Sequence, residues 1–346
     1  MKDMMRAARL HAYGQPLRLD EVPTPRPAAG EAIVKIAGAG FCHSDIHVID
    51  GEIRVLPRLP LTLGHENAGH VAALGAGVTS VREGDAVVVF GGWGCGSCDH
   101  CVTGHEQLCM TPAWCGLSQR DGGYAEYLRV PQARYLVPLP TLDPVRAAPL
   151  ADAALTPYRA VKKALPLIEA DHPTLVIGLG GLGQYGVKLL RLLTGARIIA
   201  VDTSPEKRRA AAALGADVAL DGSAPDLVVQ IADAAGGAGV SCAFDFVGSD
   251  ATLATAVAST RALGKVFHIG LAGGTAKLKP LESSRFEVGY ECTLWGTLKE
   301  LREVVALVEH GRLALGACET APLDRVNDVC ARVRRGDVNG RAIVTP

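Results

Sequence analysis

Four cysteines fall within fifteen positions: Cys95, Cys98 and Cys101 at two-residue gaps, then Cys109 after seven more residues. Two-residue gaps let neighbouring thiolates converge on one tetrahedral ion, and Gly94, Gly96 and Gly104 allow the tight turns this requires. Four sulfurs would close the coordination shell, the pattern of a structural zinc; a redox Cys-x-x-Cys pair or four unconnected thiols are the alternatives. In a chain whose compartment keeps thiols reduced, close spacing favours the metal. Cys115, Cys242, Cys292, Cys318 and Cys330 are isolated and read as small buried hydrophobes.

A second chemical pattern is Gly178-x-Gly180-x-x-Gly183, here Gly178-Leu179-Gly180-Gly181-Leu182-Gly183, lying between an apolar run and a helix-period segment. Gly178 permits a tight turn, Gly180 lets backbone approach a pyrophosphate, and Gly183 allows close helix–strand packing. The helix N-terminus then offers free amides and partial positive charge to phosphate. Asp202, 19 residues beyond Gly183, ends the next strand, where a carboxylate can bind both ribose hydroxyls and would repel a 2′-phosphate. NAD is therefore favoured over NADP, with Lys207 placed to add a contact to the same ribose. An ordinary glycine-rich βα turn is the bland alternative.

A third constellation joins Cys42-His43-Ser44-Asp45-Ile46-His47 to Gly64-His65-Glu66. Singly, each residue reads as a buried cysteine, a core histidine or a surface carboxylate. Together with a nicotinamide-binding fold they suggest a catalytic zinc, which uses three or more protein ligands and keeps one position exchangeable.

The elements that must position these residues follow from pattern. Residues 1 to about 150 read as β-rich, with apolar runs such as Glu31–Ile36 and Ala86–Phe90 between Gly- and Pro-rich turns. From about 174, strands alternate with helices: Thr174–Ile177, a helix to about Leu193, Arg197–Val201, a helix capped by Ser204-Pro205, then strands at Asp217–Leu220, Cys242–Val247 and Lys265–Ile269. Helices at Leu298–Glu309 and Asp324–Arg335 and a strand at Ala342–Val344 are too few for a third domain and should rejoin the first. The chain has 346 residues, 48% hydrophobic and 21% charged, enough for about two domains with substantial cores. A net charge of −1 argues against an electrostatic nucleic-acid binder, and no apolar run reaches the roughly 18 residues that span a bilayer. No secretory signal is visible at the start, so a cytoplasmic protein is expected.

CHSDIH, GHE, the four-cysteine lobe, GLGGLG with Asp202, and GRAIV near the C-terminus occur in the order and spacing of a known family. Over essentially its whole length the sequence resembles the zinc-dependent medium-chain alcohol dehydrogenases. WGCGSC, PLADAALTPYRA and LWGTLKEL bring it nearest to the bacterial NAD-dependent secondary-alcohol enzymes. The resemblance implies an α/β protein: a GroES-like β-rich catalytic domain (1–150 and 295–346) and a Rossmann domain with a doubly wound parallel sheet (151–294). It implies NAD, two zinc ions per subunit (one catalytic, one structural), a small-molecule alcohol or ketone substrate, and a homo-oligomer, tetramer rather than dimer.

By the same resemblance Cys42 and His65 ligate the catalytic zinc, with Asp152 as third ligand where many relatives carry cysteine. Glu66 would ligate directly or exchange with bound water, and Asp45 would orient His65. Zinc would lower the pKa of a bound alcohol; Ser44 would accept the hydrogen bond of the substrate hydroxyl, and His47, near the nicotinamide ribose, would pass the proton to solvent. His43 and Arg341 correspond to pyrophosphate contacts. Thr156 and Gly270 correspond to positions near the nicotinamide, and Asp245, Val247 and Gly248 to the approach to the adenosine. Phe90, Trp93, Trp114 and Trp295 fall near positions lining the substrate cleft, which would suit a hydrophobic or aromatic secondary alcohol. A polyol or sugar-alcohol dehydrogenase of the same superfamily, and a non-catalytic NAD-binding protein, are the competing expectations.

Overall fold

The computed structural model describes residues 2–53, 58–277 and 286–346. The chain divides into two compact units, Met1–Leu155 with Trp295–Pro346, and Thr156–Leu294.

The second unit is a six-stranded sheet of Thr174–Ile177, Ile198–Asp202, Val218–Asp221, Val240–Asp245, Thr260–His268 and Gly289–Cys292. All neighbours are parallel, and numbering these strands along the chain gives the spatial order 3-2-1-4-5-6. That is the doubly wound dinucleotide-binding order, whose ligand crevice opens where the order reverses. Thr174–Ile177 and Val240–Asp245 flank that reversal and are buried at every position. Burial on both faces is why neither strand shows a regular apolar–polar alternation. Leu175, Ile177, Ile199 and Val201 pack against Leu227 and Ile231 of a covering helix.

Local signals match as well. Ser204 Oγ accepts the Lys207 N–H (3.4 Å), Pro205 opens the helix Pro205–Leu214, and Gly215 ends it at φ +111°. The strands expected at Asp217–Leu220, Cys242–Val247 and Lys265–Ile269 are present with shifted ends. Gly289–Cys292 is a sixth strand that the apolar pattern hides, because none of its residues is fully buried.

The first unit is mostly antiparallel. Ala32–Phe41 is the spine of a seven-stranded sheet, pairing with Glu66–Leu74, Tyr127–Val130 and Arg341–Thr345. A three-stranded sheet of Arg18–Pro23, Met4–Leu10 and Leu61–Thr62 completes the β framework. The β-rich reading of this region omits short helices at His43–Ile49, Asp99–Val102 and Pro144–Ala147, and the first of them carries much of the chemistry. The C-terminal helix begins as a 3-10 turn, Leu323–Arg325, before Val326–Arg335.

Two of the five isolated cysteines depart from the buried expectation. Cys292 is exposed and Cys318 half-buried, because each lies on an edge strand of its sheet. Cys115, Cys242 and Cys330 are buried. Among the described residues, no helix is long and apolar enough to cross a membrane.

Candidate active site

The tight link between Ala32–Phe41 and the helix His43–Ile49 is closed by Asp45, whose Oδ2 accepts the Cys42 N–H at 3.0 Å. Asp45 is wholly buried and also accepts from the Tyr124 hydroxyl (2.9 Å) and from His65 Nδ1 (3.2 Å). One carboxylate thus holds the Cys42 turn and the His65 ring together, and turns His65 Nε2 toward Asp152 Oδ2 at 3.5 Å. Cys42 Sγ lies 3.6 Å from the same oxygen. One donor atom each from Cys42, His65, Glu66 and Asp152 falls within 4.8 Å of the others, and all four residues are buried.

The electrostatics of this pocket favour positive charge. Burial opposes protonation of His65, yet Asp45, Asp152 and Cys42 hold its pKa well above the ordinary value. Burial pushes Glu66 well above the usual carboxylate range; Arg341 opposes the shift and Asp152 and Cys42 add to it. Arg341 Nη2 is 2.7 Å from Glu66 Oε1, but at an angle that leaves both Glu66 oxygens without a hydrogen bond. A fully buried carboxylate whose close partner is a guanidinium, grouped with a thiol, an imidazole and a second carboxylate, fits a divalent cation of borderline softness. Glu66 has room only because residue 40 is glycine: a methyl carbon there would fall 1.9 Å from Oε2.

Ser44 and His47 lie one turn apart on the helix, hence on one face. Ser44 Oγ is 3.7 Å from Cys42 Sγ, beside the donor cluster. His47 Nδ1 is hydrogen-bonded to the exposed carboxylate of Glu52. His43 is exposed at the start of the helix.

Arg341, the expected pyrophosphate contact, stands beside the donor cluster. Its guanidinium is buried, paired with Glu66, 3.8 Å from Asp152 and bonded to the Phe41 carbonyl. Two buried acids and a backbone carbonyl surround it, as a buried cation requires.

The aromatic set divides. Phe90 and Trp93 are packed into the core. Both are at most 1% exposed, Trp93 stacks on Tyr135, and its indole N–H donates to the Phe90 carbonyl (2.5 Å). Trp295 sets its ring edge-on to His65 (centroids 5.7 Å apart) and meets Trp114 at 6.3 Å. Trp295 adopts φ +48°, a conformation rare for a bulky residue, and its indole donates to the carbonyl of Ala151, the neighbour of Asp152 (2.8 Å). Tyr124 and Gly40 are site-building residues that sequence reasoning missed. The adjacent pair Gly122-Gly123, which brings Tyr124 against Leu63 and Gly64, was the available signal.

The four-cysteine lobe is assembled by backbone. Cys95 Sγ accepts from the N–H groups of Ser97 (3.5 Å) and Cys98 (3.3 Å), and Cys109 Sγ from those of Cys95 (3.3 Å) and Thr111 (3.4 Å). These bonds stabilise thiolates: with Ser97 foremost they lower Cys95 to about 5, whereas burial raises Cys101 to about 12. The sulfurs of Cys95 and Cys101, and of Cys98 and Cys109, are 3.9 Å apart. A tetrahedron with Zn–S bonds of about 2.3 Å has edges of about 3.8 Å, while a disulfide requires about 2.05 Å.

In the second unit, Gly178 has φ +88°, and a methyl carbon at Gly183 would fall 1.7 Å from the Gly178 carbonyl oxygen. At Gly180 an added carbon meets nothing within 4 Å, so that side of the loop is open at the N-terminus of the helix Gly181–Leu193. Leu182 lies in the first turn of the same helix. Asp202 accepts the Leu179 N–H (2.7 Å) and the Ser204 N–H (2.8 Å), clamping the loop to the second strand. Asp245 is buried and holds the turn at Val247 and Gly248 by accepting both N–H groups at 2.9 Å. Gly270 packs against the Val247 backbone, Lys207 is half-buried on the next helix, and Thr156 is buried at the start of this unit.

Comparison with known proteins agrees with this geometry. Residues 28–141 match the family described as "Alcohol dehydrogenase GroES-like domain" and residues 181–310 that described as "Zinc-binding dehydrogenase". The chain is 35% identical to an NAD-dependent alcohol dehydrogenase of Sulfurisphaera tokodaii, covering 99% of this chain and 100% of that one. It belongs to the zinc-type medium-chain alcohol dehydrogenase family. A D-arabinose 1-dehydrogenase (NADP(+)) of Saccharolobus solfataricus is 34% identical, over 99% of this chain and 97% of its own. The crystal structure of the alcohol dehydrogenase of Aeropyrum pernix superposes with a TM-score of 0.94 at 38% identity, over 99% of this chain and 100% of that one. The fold is accordingly a Rossmann unit joined to a GroES-like unit, and the protein is an alcohol dehydrogenase that works with NAD(P).

Proposed function

We propose that this alcohol dehydrogenase depends on zinc and oxidises a hydrophobic secondary alcohol reversibly to a ketone, with NAD as hydride acceptor. The observation that carries the reading is the buried cluster of Cys42, His65, Glu66 and Asp152 with the Ser44 hydroxyl at its side. Cys42, His65 and Asp152 would hold the catalytic ion and Glu66 would be the exchangeable fourth donor. Cys95, Cys98, Cys101 and Cys109 would hold a second, structural ion. Zinc in such a site supplies Lewis acidity, lowering the pKa of a hydroxyl bound to it.

The chain's own residues do the rest. Asp45 fixes the His65 ring so that Nε2 is the donor atom, and Tyr124 keeps Asp45 in place. Ser44 Oγ accepts the substrate's hydroxyl proton as a hydrogen bond, and His47 carries the proton onward, one turn further along the helix. Trp295 and Trp114 provide the apolar wall that favours a hydrophobic substituent. Gly178, Gly180, Gly181, Leu182 and Gly183 cradle the pyrophosphate, and Asp202 selects the free ribose hydroxyls of NAD. Val247, Gly270, Thr156 and Lys207 complete the dinucleotide's surroundings within its unit.

A sugar substrate is the second reading, favoured by the likeness to the D-arabinose enzyme. Metal analysis and a substrate panel test both readings. Two zinc ions per chain are expected for the native protein and one for Asp152→Ala. Secondary aliphatic and aryl alcohols should outpace D-arabinose and primary alcohols in kcat/KM with NAD. A native chain holding a single zinc, retained in Asp152→Ala, would remove the catalytic-zinc reading, and preference for the sugar would select the second.

A further inference from the structure

A cavity of about 610 Å³, lined by none of the metal donors, opens in the first unit between the three-stranded sheet, the loop around Arg120 and the strand Tyr127–Val130. It falls within the range of about 300–1,000 Å³ typical of small-molecule sites. Its walls carry four arginines, Arg9, Arg58, Arg120 and Arg129, against one acidic residue, Asp121. In a chain with a net charge of −1 this is a strong local excess of positive charge.

That excess is not neutralised locally. Asp121 spends Oδ1 on the Thr62 N–H at 2.8 Å. Among the described residues, none of the four arginines has a carboxylate within ion-pair distance, whereas Arg6, on the same strand as Arg9, pairs with Glu126. Arg9 donates Nη2 to the Pro60 carbonyl (2.8 Å), which fixes the guanidinium, and its buried Nε has no partner. Arg9 also stands directly opposite Arg18 in the strand register, a like-charge pair that costs sheet stability. The lining also includes Met5, Val22 and Tyr127.

We propose that this cavity binds a small organic polyanion, a molecule with two phosphate-type groups on a compact apolar or sugar body. Guanidinium forks bind such groups through paired charge-assisted hydrogen bonds. Four guanidinium groups lining one cavity supply donors enough for two anionic groups.

Fructose 1,6-bisphosphate and inorganic pyrophosphate are suitable probes, titrated calorimetrically into the intact enzyme saturated with NADH so that the dinucleotide loop is filled. Saturable one-to-one binding of at least one probe is expected, weakening as salt rises. Fructose 6-phosphate should bind roughly tenfold less tightly than the bisphosphate, as removal of charge-assisted hydrogen bonds predicts. Arg58→Gln/Arg129→Gln should lower the probe's affinity by a similar factor. Both residues are exposed, so turnover of alcohol without the probe should be unchanged. Absence of saturable binding by both probes, or affinity that the double variant leaves intact, overturns the proposal. So does binding that disappears on saturation with NADH, which would place the anion on the dinucleotide loop instead.

Discussion

Asp45 is the residue on which the first unit's chemistry turns. It accepts from the Cys42 backbone, the Tyr124 hydroxyl and His65 Nδ1. Burial, with Asp45 next in weight, pushes the Tyr124 phenol well above its ordinary range, so it stays protonated as a donor. Ser44 and His47 then follow from helical spacing. Ser44→Ala should lower kcat by about 10²–10⁴-fold, the usual size of a general acid–base contribution, with the affinity for NADH unchanged and partial rescue by Ser44→Thr. Stopped-flow hydride transfer and NADH fluorescence titration measure the two, and an unchanged kcat would dismiss the proton path. Gly40→Ala is the steric counterpart. Its new carbon would overlap Glu66 Oε2, so zinc content and activity should fall together.

Two elements carry local predictions of opposite character. In the glycine loop, Gly183→Ala puts a carbon 1.7 Å from a backbone oxygen, which no rotamer change relieves. Both melting temperature and dinucleotide affinity should drop. Gly180→Ala meets nothing within 4 Å, so the fold should be kept while NADH binding weakens by at least about tenfold, if the pyrophosphate lies against that face. Equal loss of stability in the two variants would contradict this assignment. In the cysteine lobe, Cys95 has a folded pKa depressed to about 5 by the Ser97 and Cys98 donors. A depressed thiol contributes above its unfolded value, near 8.5, and loses that contribution as pH falls through the folded one. Protons compete with an ion for these thiolates, so the lobe should hold metal at neutral pH and release it on acidification. A zinc-sensitive dye reads this directly, and Cys98→Ser should shift release to higher pH.

At the scale of the whole molecule, the chain builds one unit from both ends and the other from its middle. Spatial order 3-2-1-4-5-6 leaves Gly289–Cys292 at one edge of the parallel sheet. Among the described residues its outer side pairs with no strand, and unpaired edges invite a second copy. Light scattering on the eluting enzyme should give a mass of two or four chains; a single chain would end the oligomer reading. The anion cavity belongs to this scale too, because its arginines come from segments far apart in sequence and no local motif announces them.

The sequence by itself determined what short spacing controls. The cysteine lobe, the glycine loop with Asp202, the Ser204-Pro205 helix start and the alternation of strands and helices all rest on contacts within a few residues or on a repeating period. Family motifs then carried the fold. Tertiary structure decided what depends on distant segments meeting. It turned Arg341 into the ion partner of Glu66, buried Phe90 and Trp93 in the core, and left Trp295 against His65. It exposed Cys292 and Cys318 on sheet edges and added Gly289–Cys292 as a sixth strand. In each case the deciding quantity was burial or the charge of a neighbour far away in sequence, and neither is encoded in residue type or local spacing.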